Sequence, residues 1–233
     1  MRWHVGTSGW AYAPWRGKFY PKEVREPGFL PYYASRFSAV EVNATFYRLP
    51  QPSVVAGWTG AVGPDFRWVV KGTQKISHIQ RFKDDDGGAL DALLAIHGQF
   101  GAAKGPLYFQ APPNLKADKE RLLGFLDRIP RDVPTTVELR HPSWLDSGIE
   151  SDLRERSIGL TATDDGVPLH LAKTAPFVHV RLRTTVYDDA ALGEIHQRIR
   201  ALDVDIAFVF FKHDDEATGP ALADRFLGMV SGG

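Results

Sequence analysis

The chain has 233 residues, 43% of them hydrophobic, which suffices for one large core and suits an α/β barrel folded as a single domain. Its 28 basic and 28 acidic side chains cancel, so no global field draws it to nucleic acid, and only a local basic cleft would do so. The absence of cysteine excludes disulfides, thiolate metal sites and a cysteine nucleophile.

From Met1 to Val5 the chain runs straight into strand-like sequence without an apolar leader. No apolar run approaches the roughly 18 residues of a membrane span, so a soluble cytoplasmic protein is expected. Residues 3–9 read as a first strand, ending in Gly6-Thr7-Ser8-Gly9 and followed by a loop with Trp10, Tyr12, Trp15, Phe19 and Tyr20. Apolar positions three and four apart predict a helix over 29–37. In the next strand Val40 and Val42 alternate with Glu41 and Asn43, a period of two. A strand covered on both faces should be apolar on both, and buried charge is costly unless paired or used. The Glu41 and Asn43 face therefore points into a shared, functional space.

A helix over 53–61 follows, opened by Pro52. A third strand over 66–71 leads into a polar loop at 72–88 and a helix over 89–100. The fourth strand, 106–110, is stopped by Pro112-Pro113 and followed by a helix over 118–129. A fifth strand, 135–140, precedes a short helix at 147–156. The sixth, 159–163, ends in Asp164-Asp165 with little helix behind it. A seventh strand at 177–183, a helix at 190–202, an eighth strand at 206–211 and a helix at 220–230 complete the chain. Strands alternating with helices imply parallel pairing. Eight such units predict an α/β fold, a single (β/α)8 TIM-type barrel over 1–233 with some helices short or missing.

Three stretches resemble the DUF72 (YecE-like) family. The first is Gly6-Thr7-Ser8-Gly9-Trp10 with Tyr12, Trp15, Gly17 and Phe19-Tyr20-Pro21. The second is Val40-Glu41-Val42-Asn43 with Thr45-Phe46-Tyr47 and Pro50, and the third is Val137-Glu138-Leu139-Arg140-His141-Pro142-Ser143-Trp144. The resemblance implies a TIM barrel and, since the family has no established activity, no substrate. The chain departs from the commonest pattern after its last two strands. Arg183-Thr184 stands where His-Gly is expected, and Lys212-His213 where Asn-Asn is expected.

Active sites of TIM barrels lie at the C-terminal strand ends. Glu41 and Glu138 are the acid/base candidates there, since unequal burial and unequal cationic neighbours drive two carboxylates to different pKa values. Lys71, Arg140 and Arg181 form a cationic set suited to an anionic substrate. A Schiff base at Lys71 requires a lowered pKa, and a neighbouring glutamate is expected to hold its ammonium charged. Asn43, His78, His141 and Asp164 complete the polar candidates, with Trp10 and Tyr12 as rings for a base or sugar. His179 reads as an inward, hydrogen-bonded filler. Phe46, Tyr47 and Trp144 are assigned to packing.

No HExxH or His-x-His pair is present. A metal set of His141, Asp164, Glu41 and His213 would be opposed by the nearby cations, so no dedicated metal is expected. No P-loop, dinucleotide fingerprint or kinase set appears, and no nucleotide cofactor is expected. The leading expectation is a hydrolase acting on a small anionic, phosphorylated or sugar-like substrate. The alternatives are a metal-dependent nucleic-acid phosphodiesterase, which rests on fold analogy, and a non-catalytic ligand-binding or scaffold protein.

Overall fold

A computed structural model describes residues 1–83, 87–212 and 214–231. Its strands are β1 (Arg2–Thr7), β2 (Ala39–Val42), β3 (Arg67–Lys71), β4 (Lys104–Gln110), β5 (Thr135–Glu138), β6 (Gly159–Leu160), β7 (Ala162–Thr163), β8 (Phe177–Leu182) and β9 (Ile206–Phe211). The helices between them are α1 (Glu26–Arg36), α2 (Pro52–Gly60), α3 (Ala89–Gly98), α4 (Lys119–Leu126), α5 (Ile149–Glu155), α6 (Asp189–Arg200) and α7 (Thr218–Ser231). All strand pairs are parallel. Among the described residues no helix is long and apolar enough to cross a membrane.

Local chemistry sets several boundaries. Pro52 occupies the first turn of α2, where its missing N–H is no loss. Asp118 caps α4 by accepting from the Arg121 N–H, and Asp188 caps α6 by accepting from the Ala191 N–H. α1 starts three residues ahead of the expected helix, because Pro27 lies in its first turn. The segment after β7 carries no helix, as the sequence suggests. Within the expected polar loop at 72–88, Lys75–Ile79 forms one turn of π-helix.

The strands fall into two sheets, ordered β1-β9-β8-β7 and β2-β3-β4-β5-β6. They meet at two seams. At the first, the expected sixth strand divides at Thr161, so that β6 pairs with β5 and β7 pairs with β8. The Thr161 N–H donates to Val137 O at 2.9 Å. Its hydroxyl lies 2.8 Å from Thr136 Oγ1 and 3.0 Å from His179 Nδ1. At the second seam, no backbone ladder joins β1 to β2 among the described residues, and the Tyr33 hydroxyl of α1 stands between them. It accepts from the Thr7 N–H at 2.7 Å and donates to Ala39 O at 3.0 Å. Gly6 permits this approach, because a Cβ there would lie 2.0 Å from Ala39 O. The strands thus run in barrel order, stitched at two seams.

Side-chain parity sorts the core into two layers. Val40, Val42, Trp68, Val70, Leu107, Phe109, Val137, Val178, Val180, Val209 and Phe211 belong to the large apolar layer shared with the helices. The opposite parity faces the interior, where Ala39, Val69, Tyr108, Phe177, Phe208 and Phe210 form a smaller apolar plug. Two residues further along four of the strands, on the same inner face, stand polar groups. Glu41 follows Ala39, Lys71 follows Val69, Gln110 follows Tyr108, and His179 then Arg181 follow Phe177. The interior is therefore apolar at its N-terminal end and polar towards the C-terminal ends of the strands.

Candidate functional site

Arg181 of β8 occupies the centre of this polar layer and is almost fully buried. Its Nε and Nη2 donate to Glu41 of β2 at 2.9 and 3.1 Å, and its Nη1 donates to Glu138 of β5 at 2.7 Å. One guanidinium thus joins three strands from both sheets through the fork geometry that carboxylates favour. Both glutamates are fully buried. Glu41 also accepts from Asn43 Nδ2 at 3.1 Å and lies 3.3 Å from His179 Nε2. Glu138 accepts from the Tyr108 hydroxyl at 2.6 Å and from Gln110 Nε2 at 2.7 Å.

Burial opposes charge on Glu41, yet Arg181 and His179 overcome it and hold the carboxyl well below the usual carboxylate range. Burial likewise opposes charge on Glu138, and Arg181 with the Gln110 and Tyr108 hydrogen bonds overcomes it. Burial lowers the His179 pKa despite Glu41, leaving a neutral imidazole. Neither carboxyl is raised towards the range of a proton donor at neutral pH, and both carboxylates stay ionised.

Beside this cluster a cavity of about 710 Å³ opens at the C-terminal strand ends. Its charged wall is Lys71, Arg181 and Arg183, with no acidic residue lining it among the described residues. Trp10, Tyr12, Phe46, Tyr47 and Trp58 supply aromatic walls, and Asn43, Gln74, His78 and Gln110 the neutral polar ones. Trp10 is itself packed edge-on against Trp58 and Trp68 at 5.1 and 5.6 Å. The Tyr12 hydroxyl donates to Ser8 O at 2.7 Å, and burial first, then Glu41, pushes its pKa up to about 12.

Lys71 is pulled towards the charged form by Glu41 and Glu138 but, among the described residues, has no direct carboxylate partner, because Arg181 takes both glutamates. Its Nζ donates instead to the neutral Gln110 Oε1 at 2.9 Å and lies 4.6 Å from the Phe46 ring centroid. Burial and then Arg181 lower its pKa to about 8, against the opposing pull of Glu41 and Glu138. His78 packs edge-on against Phe46, with ring centroids 4.9 Å apart. Burial, Lys71 and Arg140 lower its pKa, so its imidazole is neutral.

Of the residues singled out from sequence, Trp10, Tyr12, Asn43, Lys71, His78 and Arg181 line the cavity together. Glu41 and Glu138 lie behind its wall. Arg140 is not among the lining residues and lies 2.6 Å from Asp165 and 3.7 Å from Glu138, past the end of β5 at Glu138. His141 sits in the turn beyond, where its ring nitrogen accepts from the Ser143 N–H at 3.2 Å and caps a short 3-10 helix. Asp164 is taken up by the loop after β8, accepting from the Arg183 N–H at 2.6 Å and from the Tyr187 hydroxyl. It thereby fixes the backbone of Arg183, whose Nη1 donates to Ser8 Oγ at 3.1 Å.

Sequence reasoning left Arg183, Gln110, Gln74, Phe46, Tyr47 and Trp58 out of the site. Arg183 and Gln110 were visible as strand-end polar groups, whereas nothing in the spacing separates lining aromatics from packing ones. Trp144 is packed as expected, its indole N–H donating to Leu115 O at 2.9 Å. The proposed metal ligands are not assembled: Glu41, Asp164 and His141 have the separate partners given above. His213 lies outside the described residues, and among those described no three His, Cys, Asp or Glu side chains are grouped to hold a metal.

The comparisons with known proteins agree with this architecture. The profile of the family described as "Protein of unknown function DUF72" matches residues 4–232. The chain is 30% identical over 176 residues to the UPF0759 protein YecE of Escherichia coli K12, a match spanning 73% of this chain and 61% of that protein. It is 26% identical over 151 residues to the UPF0759 protein YunF of Bacillus subtilis, spanning 60% of this chain and 51% of that one. The matches thus cover less than two thirds of these relatives. The crystal structure of a DUF72 family protein from Thermotoga maritima superposes with a TM-score of 0.80 at 22% identity, over 99% of this chain and 100% of that one, a likeness of fold. With its profile matched almost end to end, the chain belongs to the DUF72 family.

Proposed function

We propose that the cavity holds a small anionic organic molecule, phosphorylated or sugar-like, and that the protein acts on it by proton transfer through Lys71 and His78. The observation that carries this reading is the sorting of charge. The cavity wall presents Lys71, Arg181 and Arg183, while the two carboxylates that would neutralise them lie behind it, bound to Arg181. Arginines offer bidentate hydrogen bonds to a carboxylate or phosphate, and the aromatic walls suit the apolar face of a ring. Hydrolysis through paired carboxylates, the reaction expected from sequence, draws no support from this geometry, because neither glutamate lines the cavity. The same holds for a metal-dependent phosphodiesterase, since Glu41, His141 and Asp164 of its ligand set are engaged by separate partners.

Trp10 and Trp58 line the cavity, so their fluorescence reports its occupancy. Titration with inorganic phosphate is expected to give a saturable change that weakens as ionic strength rises. Arg183→Gln should weaken it at least tenfold, about 1.4 kcal/mol. A response that does not saturate, or one that Arg183→Gln leaves intact, would contradict the reading.

A further inference from the structure

Lys71 combines three features that the sorting of charge alone does not require. It lines the cavity, its hydrogen-bond acceptor is a neutral amide, and an aromatic ring covers one side of its nitrogen. The glutamates that would pin an ammonium there are spent on Arg181. We infer that Lys71 is a nucleophile, and that the anionic ligand of this cavity carries an aldehyde or ketone which Lys71 captures as an imine. This inference rests on the anion-binding reading above and names the substrate class within it.

The chemistry balances within the cavity. The neutral Nζ adds to the carbonyl carbon, and the resulting carbinolamine loses the former carbonyl oxygen as water. Both hydrogens of that water are supplied by the amine, so no oxidant, reductant or metal is consumed. A lysine reacts only as the free amine. With its pKa lowered to about 8, roughly a tenth of Lys71 is neutral at pH 7, against less than about a thousandth of an exposed lysine. The groups acting on that nitrogen are Arg181 and Arg183, which favour the amine, and Glu41 and Glu138, which oppose it. His78, packed edge-on against Phe46, supplies a neutral imidazole lining the same cavity to relay protons. Arg183 remains to receive the anionic group, since the Arg181 guanidinium is engaged by the two glutamates.

The test is reductive trapping on the whole protein. Pyridoxal 5′-phosphate, a phosphate-bearing aldehyde, and pyruvate, a carboxylate-bearing ketone, serve as probes in separate arms, each with cyanoborohydride and with mapping of labelled peptides by mass. Label on Lys71 is expected to exceed that on every other lysine at least tenfold, well within the roughly hundredfold difference in neutral fraction. It should rise with pH through about 8 and fall when inorganic phosphate is added. The arm in which label on Lys71 most exceeds that on the other lysines identifies the anionic group.

Lys71→Arg, which keeps the positive charge and removes the amine, is expected to abolish that label. Because the peptide map of the wild-type protein names the labelled lysine, the test does not depend on the variant folding. Phosphate binding without enrichment of label at Lys71 would overturn the imine and leave the anion site standing. Label at Lys71 that phosphate fails to suppress would overturn the assignment of an anionic substrate. Absence of both label and phosphate binding would overturn both.

Discussion

The guanidinium of Arg181 grips Glu41 with two hydrogen bonds, at 2.9 and 3.1 Å, and spends its remaining arm on Glu138 at 2.7 Å. That division decides what the rest of the polar layer can do. It fixes two carboxylates as anions where no solvent reaches them, and it leaves Lys71 with a neutral partner. It also ties strands of the two sheets to one another inside the barrel.

Removing Arg181 leaves two buried carboxylates facing each other without their cation. Arg181→Met is therefore expected to cost about 3–5 kcal/mol in denaturant unfolding, the range for breaking a buried pair. Adding Glu41→Gln to it should recover at least about 1 kcal/mol, because one orphaned charge disappears. A double variant no more stable than Arg181→Met would show that the three groups do not act as a unit.

Acid should weaken the same cluster. Both glutamates have folded pKa values below their ordinary one, so the stability they contribute is fully present above the unfolded carboxylate value of roughly 4.3. It is lost as pH falls through the lower, folded values. Glu138→Gln does not titrate at that position. Its stability deficit relative to the wild-type chain should be constant from neutral pH to about 5.5 and shrink below about 4. A deficit that stays level throughout that descent would show that Glu138 is not held as a buried anion.

Lys71 should behave in the opposite sense. Its folded pKa of about 8 lies below that of an ordinary lysine, so charging it in the folded state costs stability below pH 8. Between about 8 and 10.4 the unfolded chain binds more protons, and the wild-type chain gains stability as pH rises. Lys71→Met is expected to be more stable at pH 7 by about 1–3 kcal/mol, less what the orphaned Gln110 oxygen costs, and to bind phosphate more weakly. A melting temperature lowered by Lys71→Met at pH 7 but not at pH 10 would reverse the sign and refute the assignment.

The seam between β1 and β2 rests on a side chain where the other strand pairs use backbone. Tyr33→Phe leaves the Thr7 N–H and Ala39 O without their shared partner and is expected to cost about 1–3 kcal/mol. Hydrogen exchange at the Thr7 amide should accelerate more than at the paired amides of β8 and β9. Unchanged protection of Thr7 would mean that the hydroxyl is not what holds this edge.

Much of the architecture was legible because parity is a local property. Val40 and Val42 against Glu41 and Asn43 announced an inward polar face, and the repetition of strand and helix announced parallel sheets. Depth along the barrel axis was not legible. The same inward parity places Glu41 behind the cavity wall and Asn43, two residues on, in it, and the early end of β5 removes His141 from the interior. The state of Lys71 was equally hidden, since it depends on which cation wins the glutamates, and only distances between β2, β5 and β8 decide that. Tyr33 looked like one more apolar position of α1, because its seam-closing role belongs to its hydroxyl alone.

The most direct test of the anion site is diffraction from crystals soaked in selenate, an anomalously scattering tetrahedral anion. The expected result is an anomalous peak inside the cavity, within hydrogen-bonding distance of Arg183 and at least one of Arg181 and Lys71. An empty cavity at high selenate concentration, or a peak confined to surface lysines and arginines, would contradict the account.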